Sequence, residues 1–536
     1  MLARELVLPH LLAARAAECP DRTFLQEVDG RSISYGDLHR YTLTWADAYR
    51  RLGIEPGDRV AVMLPTGIDA VSAWLGLAWL RAWEVPVNTG YVGRMLRYLL
   101  EHSRSKLLVT AADYLERLAD VAAELTHLET IVVHDRNDVT SDLPFRVIGR
   151  SDFLAGAAPA TDLDGPGPAD IATVMYTSGT TGPSKGVLVP WAQLHATAST
   201  SIFTGDFGAD DAYYMPFPLF HISGKGPVYT FALVGGRVVM RPSFNTSAFW
   251  DDIRRYRCTT TLLLGAMANF INRQPRRPDD AEGPLHTVVM VPLIPELEDF
   301  KRRFGVRVST AFNMTEISVP IHSEGWTLAD LESCGKVRPG YEVRVVDTDD
   351  EDVGPGRVGE LIVRSDEPWT LMAGYLDMPE ATTAAWRNLW LHTGDAFRYH
   401  ADGNYYFCDR IKDTIRRRGE NISSAEVEAV VNEHPGVLES AAIAVPSEWG
   451  EDEVKIVVVP RPGESIEPAG LIDFLSPRLP RFMLPRYVEV VTSLPKTPTE
   501  KVRKVELRQQ GITPTTWDRE AANLKLRGPK PRASSD

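Results

Sequence analysis

One run of residues, Tyr176-Thr177-Ser178-Gly179-Thr180-Thr181-Gly182-Pro183-Ser184-Lys185-Gly186, combines hydroxyls, glycines and a lysine. It follows an apolar stretch, Ile171–Met175, and precedes Val187–Val189. Small hydroxyl side chains and glycines let backbone N–H groups approach an oxyanion closely and add donors of their own, which is chemistry suited to a polyphosphate. No Gly-Lys-[Ser/Thr] closes the run, so it is not a Walker A loop.

This phosphate loop resembles the signature of the acyl-adenylate-forming superfamily, which includes acyl-CoA synthetases, luciferases and peptide-synthetase adenylation domains. The family's other motifs recur in order between Tyr35 and Lys504: Phe312-Asn313-Met314-Thr315-Glu316, His392-Thr393-Gly394-Asp395, Asp409-Arg410-Ile411-Lys412-Asp413, and Pro495-Lys496-Thr497-Pro498-Thr499-Glu500-Lys501. The resemblance implies an ATP site built on Thr177, Ser178, Gly179, Thr180, Thr181, Gly182 and Lys185, with Phe312 stacked on adenine and Asn313 beside it. Asp395, an acceptor-only group when ionised, would take the ribose hydroxyl protons. Arg410 offers a planar fork to ribose and phosphate oxygens. Thr315 would donate to the α-phosphate, and Glu316 would help hold Mg²⁺, a hard cation that takes one or two carboxylates beside phosphate oxygens.

Lys501 matches the lysine that bridges the substrate carboxylate and the α-phosphate, where a point charge stabilises the transition state. Glu500 stands where the family usually has glycine. Lys412 matches a hinge about which a C-terminal domain rotates between half-reactions, exposing a face that carries Arg416, Arg418 and Gly419. These arginines suit the phosphates of coenzyme A and equally suit a solvated face. Pro218-Leu219-Phe220-His221 matches an element lining the acyl tunnel, with His221 gating the thiol. Gly224, Gly226, Gly265, Ala266 and Met314 fall where relatives line the acyl pocket, and small residues leave room for a bulky acyl group. Lys225, pointed inward, would instead select an acid with a second anionic group. Val289-Met290-Val291-Pro292-Leu293 replaces the usual Gly-Gly-Ala-Pro-Leu, which implies a bulkier adenine wall. The stretch Phe244–Tyr256 and the segment Phe312–Ser318 look most like the crotonobetaine/carnitine-type branch of CoA ligases, beside fatty acid-type ligases.

The elements that position these residues read as α/β. Asp58–Leu64, Val85–Val87, Leu107–Val109 and Thr130–Val133 are short apolar runs with helical stretches between them, including one from Asp69 to Arg81; such alternation implies a largely parallel sheet. Ser34–Leu38 reads as a strand end entering a helix, with Asp37 available as its N-cap. Residues Ala155–Asp170 read as a linker or surface loop. Val337–Tyr375 reads as a small β-rich, barrel-like subdomain. Beyond Lys412, helices Ser424–His434 and Pro468–Pro477 with strands Glu439–Val445, Glu453–Val459 and Tyr487–Val491 make a compact α+β unit. The expected division is a large N-terminal domain over 1–411 of layered α/β subdomains, a mobile C-terminal domain over 412–525, and a disordered tail over 526–536.

A chain of 536 residues exceeds one ordinary core. A net charge of −14 with dispersed basic residues disfavours a nucleic-acid partner. Four separated cysteines, Cys19, Cys258, Cys334 and Cys408, give neither a disulfide framework nor a zinc site and fit a cytoplasmic protein. The N-terminus reads as an amphipathic helix, and the most apolar run, Ala70–Leu80, is too short to span a bilayer, so no integral membrane association is expected. The reading is an acid–CoA ligase using ATP, Mg²⁺ and coenzyme A on a bulky, mostly apolar carboxylic acid. Its rivals are an adenylation-only enzyme that serves a carrier or partner enzyme in trans, and a non-catalytic binding module. An NAD enzyme is disfavoured because no GxGxxG fingerprint is present.

Overall fold

The computed structural model describes residues 1–177, 184–200, 204–411, 413, 415–417, 420–447, 452–479, 483–497 and 500–522. The expected apolar runs form a five-stranded parallel sheet in the order Trp83–Pro86, Arg59–Met63, Leu107–Thr110, Thr130–Val133, Arg146–Gly149. Parallel neighbours need a crossover, and between Arg59–Met63 and Trp83–Pro86 it is the helix Ile68–Trp79. That helix is apolar on nearly all sides, the pattern of a helix enclosed by other elements, and Trp74 at its centre is 1% exposed. The Trp74 ring stacks on Trp191 at 5.6 Å, and its indole N–H donates to the Ala172 carbonyl at 2.9 Å. Enclosing one such side chain removes ~200 Å² from water, an upper figure of ~5 kcal/mol.

A second sheet of seven strands runs Arg307–Ser309, Thr287–Val291, Thr260–Leu264, Ala212–Met215, Arg237–Met240, Thr23–Glu27, Ser32–Ser34, parallel except for the final hairpin. Its apolar side chains fill clusters on both faces. The helix Tyr35–Arg51 follows that hairpin. Its cap is Ser34, whose hydroxyl accepts from the Asp37 backbone N–H at 3.1 Å. The expectation of Asp37 as the cap is therefore corrected: the helix begins three residues earlier, and Asp37 sits in its first turn, where a negative charge is stabilised by the positive end of the helix dipole.

The β-rich region is larger than Val337–Tyr375. An antiparallel path joins Ala311–Met314, Ser318–His322, Ser333–Val337, Tyr405–Arg410, Trp390–Tyr399, Gly359–Ser365 and Tyr341–Val346, with Trp386–Arg387 paired to Trp390–Tyr399. The path is open rather than a closed barrel. A hairpin of Ile171–Thr177 with Lys185–Pro190, extended by Gly374–Tyr375, stands apart. Residues 155–170 form no helix or strand beyond a helix end. Arg4 and His10 from the N-terminus reach the Gly165 and Pro166 carbonyls at 3.2 and 2.9 Å, and Arg81 pairs with Asp170.

Beyond residue 412 the expected helices and strands form within one or two residues of their expected ends, and they enclose apolar clusters of their own. Ser424 ties this part to the rest: its backbone N–H donates to Asp409 Oδ2 at 2.6 Å, and Lys504 donates to the Ser424 hydroxyl. All four cysteines are free thiols; Cys258 and Cys408 are buried, and burial pushes the Cys258, Cys334 and Cys408 thiols up, the latter two to about 11.

Gly335 joins the two ends of the antiparallel path, because its strand lies between Ser318–His322 and Tyr405–Arg410. Its φ is +106°, and a Cβ there would stand 2.0 Å from the His322 carbonyl oxygen. Gly335→Ala is expected to lower stability by about 3 kcal/mol or more, read as a fall in the urea midpoint.

Candidate adenylate-forming site

Strand pairing brings Asp395 and Arg410 together. They are opposite one another across Trp390–Tyr399 and Tyr405–Arg410, with Arg410 Nε 3.4 Å from Asp395 Oδ1. Thr393 fixes the turn before Asp395: its hydroxyl donates to the Leu361 carbonyl and accepts from the Asp395 backbone N–H. Asp395 is 3% exposed, and among the described residues Oδ1 takes no hydrogen bond. Burial pushes its carboxyl up to about 6, against the pull of Arg410 and Lys501. A buried carboxylate oxygen without a donor fits the hydroxyls of a ribose.

Glu316 is 8% exposed, and burial pushes its carboxyl above the usual range. The Tyr375 hydroxyl donates to Oε1 at 3.1 Å, and the Glu316 carbonyl accepts from the Met372 backbone N–H at 2.9 Å. Among the described residues no lysine or arginine forms an ion pair with Glu316, so a hard divalent cation fits there. No cluster of three or more metal-ligating side chains exists among the described residues, so phosphate oxygens and water would complete the coordination. Lys185 pairs with Thr177 across the hairpin that carries the phosphate loop, and its ammonium lies 4.5 Å from the centre of the Tyr375 ring. Tyr375 thus links Lys185 to Glu316. Sequence reasoning missed that role, as it missed Gln193, whose amide donates to the Thr315 carbonyl at 2.7 Å and pins the Thr315–Glu316 turn.

Phe312 is 8% exposed and packs edge-on against Phe397 at 4.7 Å. Asn313 is exposed, and Met314 and Thr315 are half-buried. The bulkier Val289-Met290 pair is taken up by the core: the two side chains are 3% and 0% exposed and enter clusters on opposite faces of their sheet. Val291, Pro292 and Leu293 remain near the surface.

Lys501 brings its charge to this site from the C-terminal part. Lys501 is exposed by surface area, yet the crowding of protein around its ammonium, with Arg410 second, lowers it below the ordinary lysine range, while Asp395 opposes the shift. The His221 imidazole is pushed down to about 4 by burial and by Lys501. His221 caps the helix Ile222–Val234. Glu500 has φ +60°, the left-handed conformation that glycine adopts without strain. Its carboxylate lies 3.2 Å from Lys496 Nζ, which also pairs with Glu439 at 2.7 Å. The backbone geometry of a glycine is kept, and an ion pair holds the substitute in it.

On the acyl side, a Cβ on Gly224 would lie 2.3 Å from the Pro218 carbonyl oxygen, so close backbone packing requires that glycine. A Cβ on Gly265 would lie 3.1 Å from the Pro292 carbonyl, whereas one on Gly226 would meet only Thr197 at 4.0 Å. Ala266 is exposed. Lys225 is fully buried with Nζ 2.7 Å from Glu84 Oε2, so its charge is committed within the core. A glutamate inside the apolar Trp83–Pro86 strand was the signal of such a partner, since buried carboxylates are rare unless paired. Ser178, Gly179, Thr180, Thr181, Gly182, Lys412, Arg418 and Gly419 lie outside the described residues, and Arg416 is described only as paired with Asn421 in a two-stranded ribbon.

The model of the AMP-binding enzyme family matches residues 12–376, and that of the AMP-binding enzyme C-terminal domain matches 426–501. A crotonobetaine/carnitine–CoA ligase of Salmonella agona (strain SL483) is 30% identical over 495 residues, covering 89% of this chain and 93% of that protein. The o-succinylbenzoate coenzyme A synthetase MenE of Bacillus subtilis, solved with AMP, superposes with a TM-score of 0.80 at 25% identity over 93% of this chain and 97% of that one. ATP-bound MatB from Rhodopseudomonas palustris shares the fold at a TM-score of 0.82 and 24% identity, covering 94% and 98% of the two chains. A buried carboxylate pair, a lysine delivered from a separate C-terminal unit and a family match across most of the length converge: the chain belongs to the AMP-binding enzymes, the acyl-adenylate-forming superfamily.

Proposed function

We propose that this protein activates a bulky, mostly apolar carboxylic acid in two half-reactions. The acid's carboxylate attacks the α-phosphate of ATP, giving acyl-AMP and pyrophosphate; the thiol of coenzyme A then attacks the acyl carbonyl and AMP departs. It is an ATP-dependent carboxylic acid–CoA ligase, in keeping with its family and with relatives named as CoA ligases. The observation that carries the reading is Asp395 set opposite Arg410 by strand register, with Arg410 Nε 3.4 Å from Oδ1, within the electrostatic range of Lys501 from the C-terminal part. The Lys501 ammonium balances the carboxylate and the phosphate that must meet. Asp395 and Arg410 orient the ribose, Glu316 would hold Mg²⁺, which supplies charge neutralisation at the phosphates, and Thr315 donates to the α-phosphate.

The apolar character of the acid rests on the commitment of Lys225 to Glu84, which leaves no spare cation from this stretch of the helix, and on the open space beside Gly226. We read residues 1–411 and 412–525 as two units hinged at Lys412, with Arg416, Arg418 and Gly419 facing coenzyme A after rotation, and we place the enzyme in the cytoplasm. Among the described residues no helix is long and apolar enough to cross a membrane.

A panel of carboxylic acids, assayed for pyrophosphate with and without coenzyme A, tests the reading. Consumption of coenzyme A with a large apolar acid is expected, whereas pyrophosphate without thioester would point to a carrier or partner enzyme in trans. Lys501→Ala is expected to lower adenylation by about 10²–10³ while still converting preformed acyl-AMP and coenzyme A. Near-normal pyrophosphate release by that variant would remove Lys501 from the chemistry.

The state of Asp395 gives a pH dependence. Below about 6 its carboxyl is protonated and loses acceptor capacity. The KM for ATP is therefore expected to rise as pH falls through about 6 and to be flat above neutrality. Asp395→Asn should have a high KM and lose the inflection; an unchanged inflection would assign it elsewhere.

At the loop before Lys501, Glu500→Gly is expected to keep kcat within about twofold, since glycine adopts the same φ freely. Glu500→Val should lower it about tenfold, because a β-branched side chain resists positive φ. Equal rates for the two variants in adenylation assays would show that the loop conformation is immaterial.

A further inference from the structure

Among the described ion pairs, Glu84 and Lys225 form the most deeply enclosed one, with side chains 2% and 0% exposed. Glu84 lies in the strand Trp83–Pro86 and Lys225 one turn into the helix Ile222–Val234. The same oxygen, Glu84 Oε2, accepts from the Thr173 hydroxyl at 2.9 Å. The Lys225 ammonium also rests 3.9 Å from the centre of the Trp74 ring, and the Trp74 indole holds the Ala172 carbonyl. Ala172 and Thr173 belong to Ile171–Thr177, the strand that enters the phosphate loop. The helix that carries Lys225 has His221 as its N-cap, on the side that Lys501 approaches. One carboxylate is thus tied to the strand feeding the phosphate loop and to the helix presenting His221.

Stability does not account for such a pair. Two enclosed charges are generally no better than apolar side chains of the same volume, although loss of one partner strands the other. What a short ion pair supplies, and a smooth apolar contact does not, is a fixed distance between elements. We propose that the Glu84–Lys225 pair sets the strand Ile171–Thr177, which enters the phosphate loop, against the His221 helix, and that both are positioning residues for acyl-adenylate formation. The inference rests on the adenylation reading above.

The test replaces both charges at once. The double variant Glu84→Leu/Lys225→Met is neutral and of similar volume. It is expected to keep its Tm within about 5 °C of wild type and its KM for ATP within about threefold, because the adenine and ribose contacts are untouched. The kcat for pyrophosphate release should fall about tenfold or more, since misplacement of reacting groups by an ångström is enough for that. A folded double variant with wild-type kcat overturns the proposal. If the double variant does not fold, Thr173→Val cuts only the tie between the carboxylate and the loop strand: unchanged Tm with kcat lowered about threefold supports positioning, and unchanged kcat overturns it. Absence of pyrophosphate from the wild-type enzyme would instead overturn the adenylation reading, so the two failures are distinct.

Discussion

Two carboxylates, Glu316 and Asp395, are held out of water with less positive charge than they need. Burial disfavours an ionised carboxylate strongly unless a cation or several donors replace the lost water. Here Glu316 has one tyrosine hydroxyl, and Asp395 has an arginine at 3.4 Å. The framework is what makes this tolerable. Strand register fixes Asp395 opposite Arg410, and bonds from the Met372 N–H to the Glu316 carbonyl and from the Asp395 N–H to the Thr393 hydroxyl fix the main chain that carries each carboxylate. The deficit is one that a nucleotide's hydroxyls and a divalent cation would fill. Preorganised polar groups of this kind do not have to reorganise when charge develops.

Lysines are used in two opposite ways. Lys225 is enclosed and matched one-to-one with Glu84, so its charge is unavailable to any ligand. Lys501 is brought to a cleft that already contains Arg410, and its ammonium is destabilised there. Loss of hydration and the neighbouring Arg410 charge outweigh the attraction of Asp395, so a further anion in the site would favour the charged ammonium.

The parts legible in the sequence were those set by local pattern. The apolar runs 59–63, 107–110 and 130–133 became parallel strands because their side chains are enclosed on both faces, and the order of the motifs identified the family. Partnerships across long separations were not legible. Nothing near Gln193 points to Thr315, and nothing near Tyr375 points to Glu316. The Ser34 cap was missed because both Ser34 and Asp37 satisfy the cap pattern, and only the helix start distinguishes them. Gly224 reads as pocket space in a sequence, yet the carbonyl of Pro218 is what demands it. Val289 and Met290 look like intrusions on a nucleotide wall until the sheet turns them into the core on either side.

The free thiols carry a consequence for selectivity. An acyl-adenylate acylates any available thiolate, and a ligase that awaits an external thiol is exposed to capture by its own cysteines. Only the thiolate is an effective nucleophile. Cys258, Cys334 and Cys408 are all held in the protonated form by burial, and Cys334 feels the Asp395 charge that raises it further. The interior that stabilises the fold therefore also keeps these three thiols protonated, and so poor nucleophiles toward an activated acyl group.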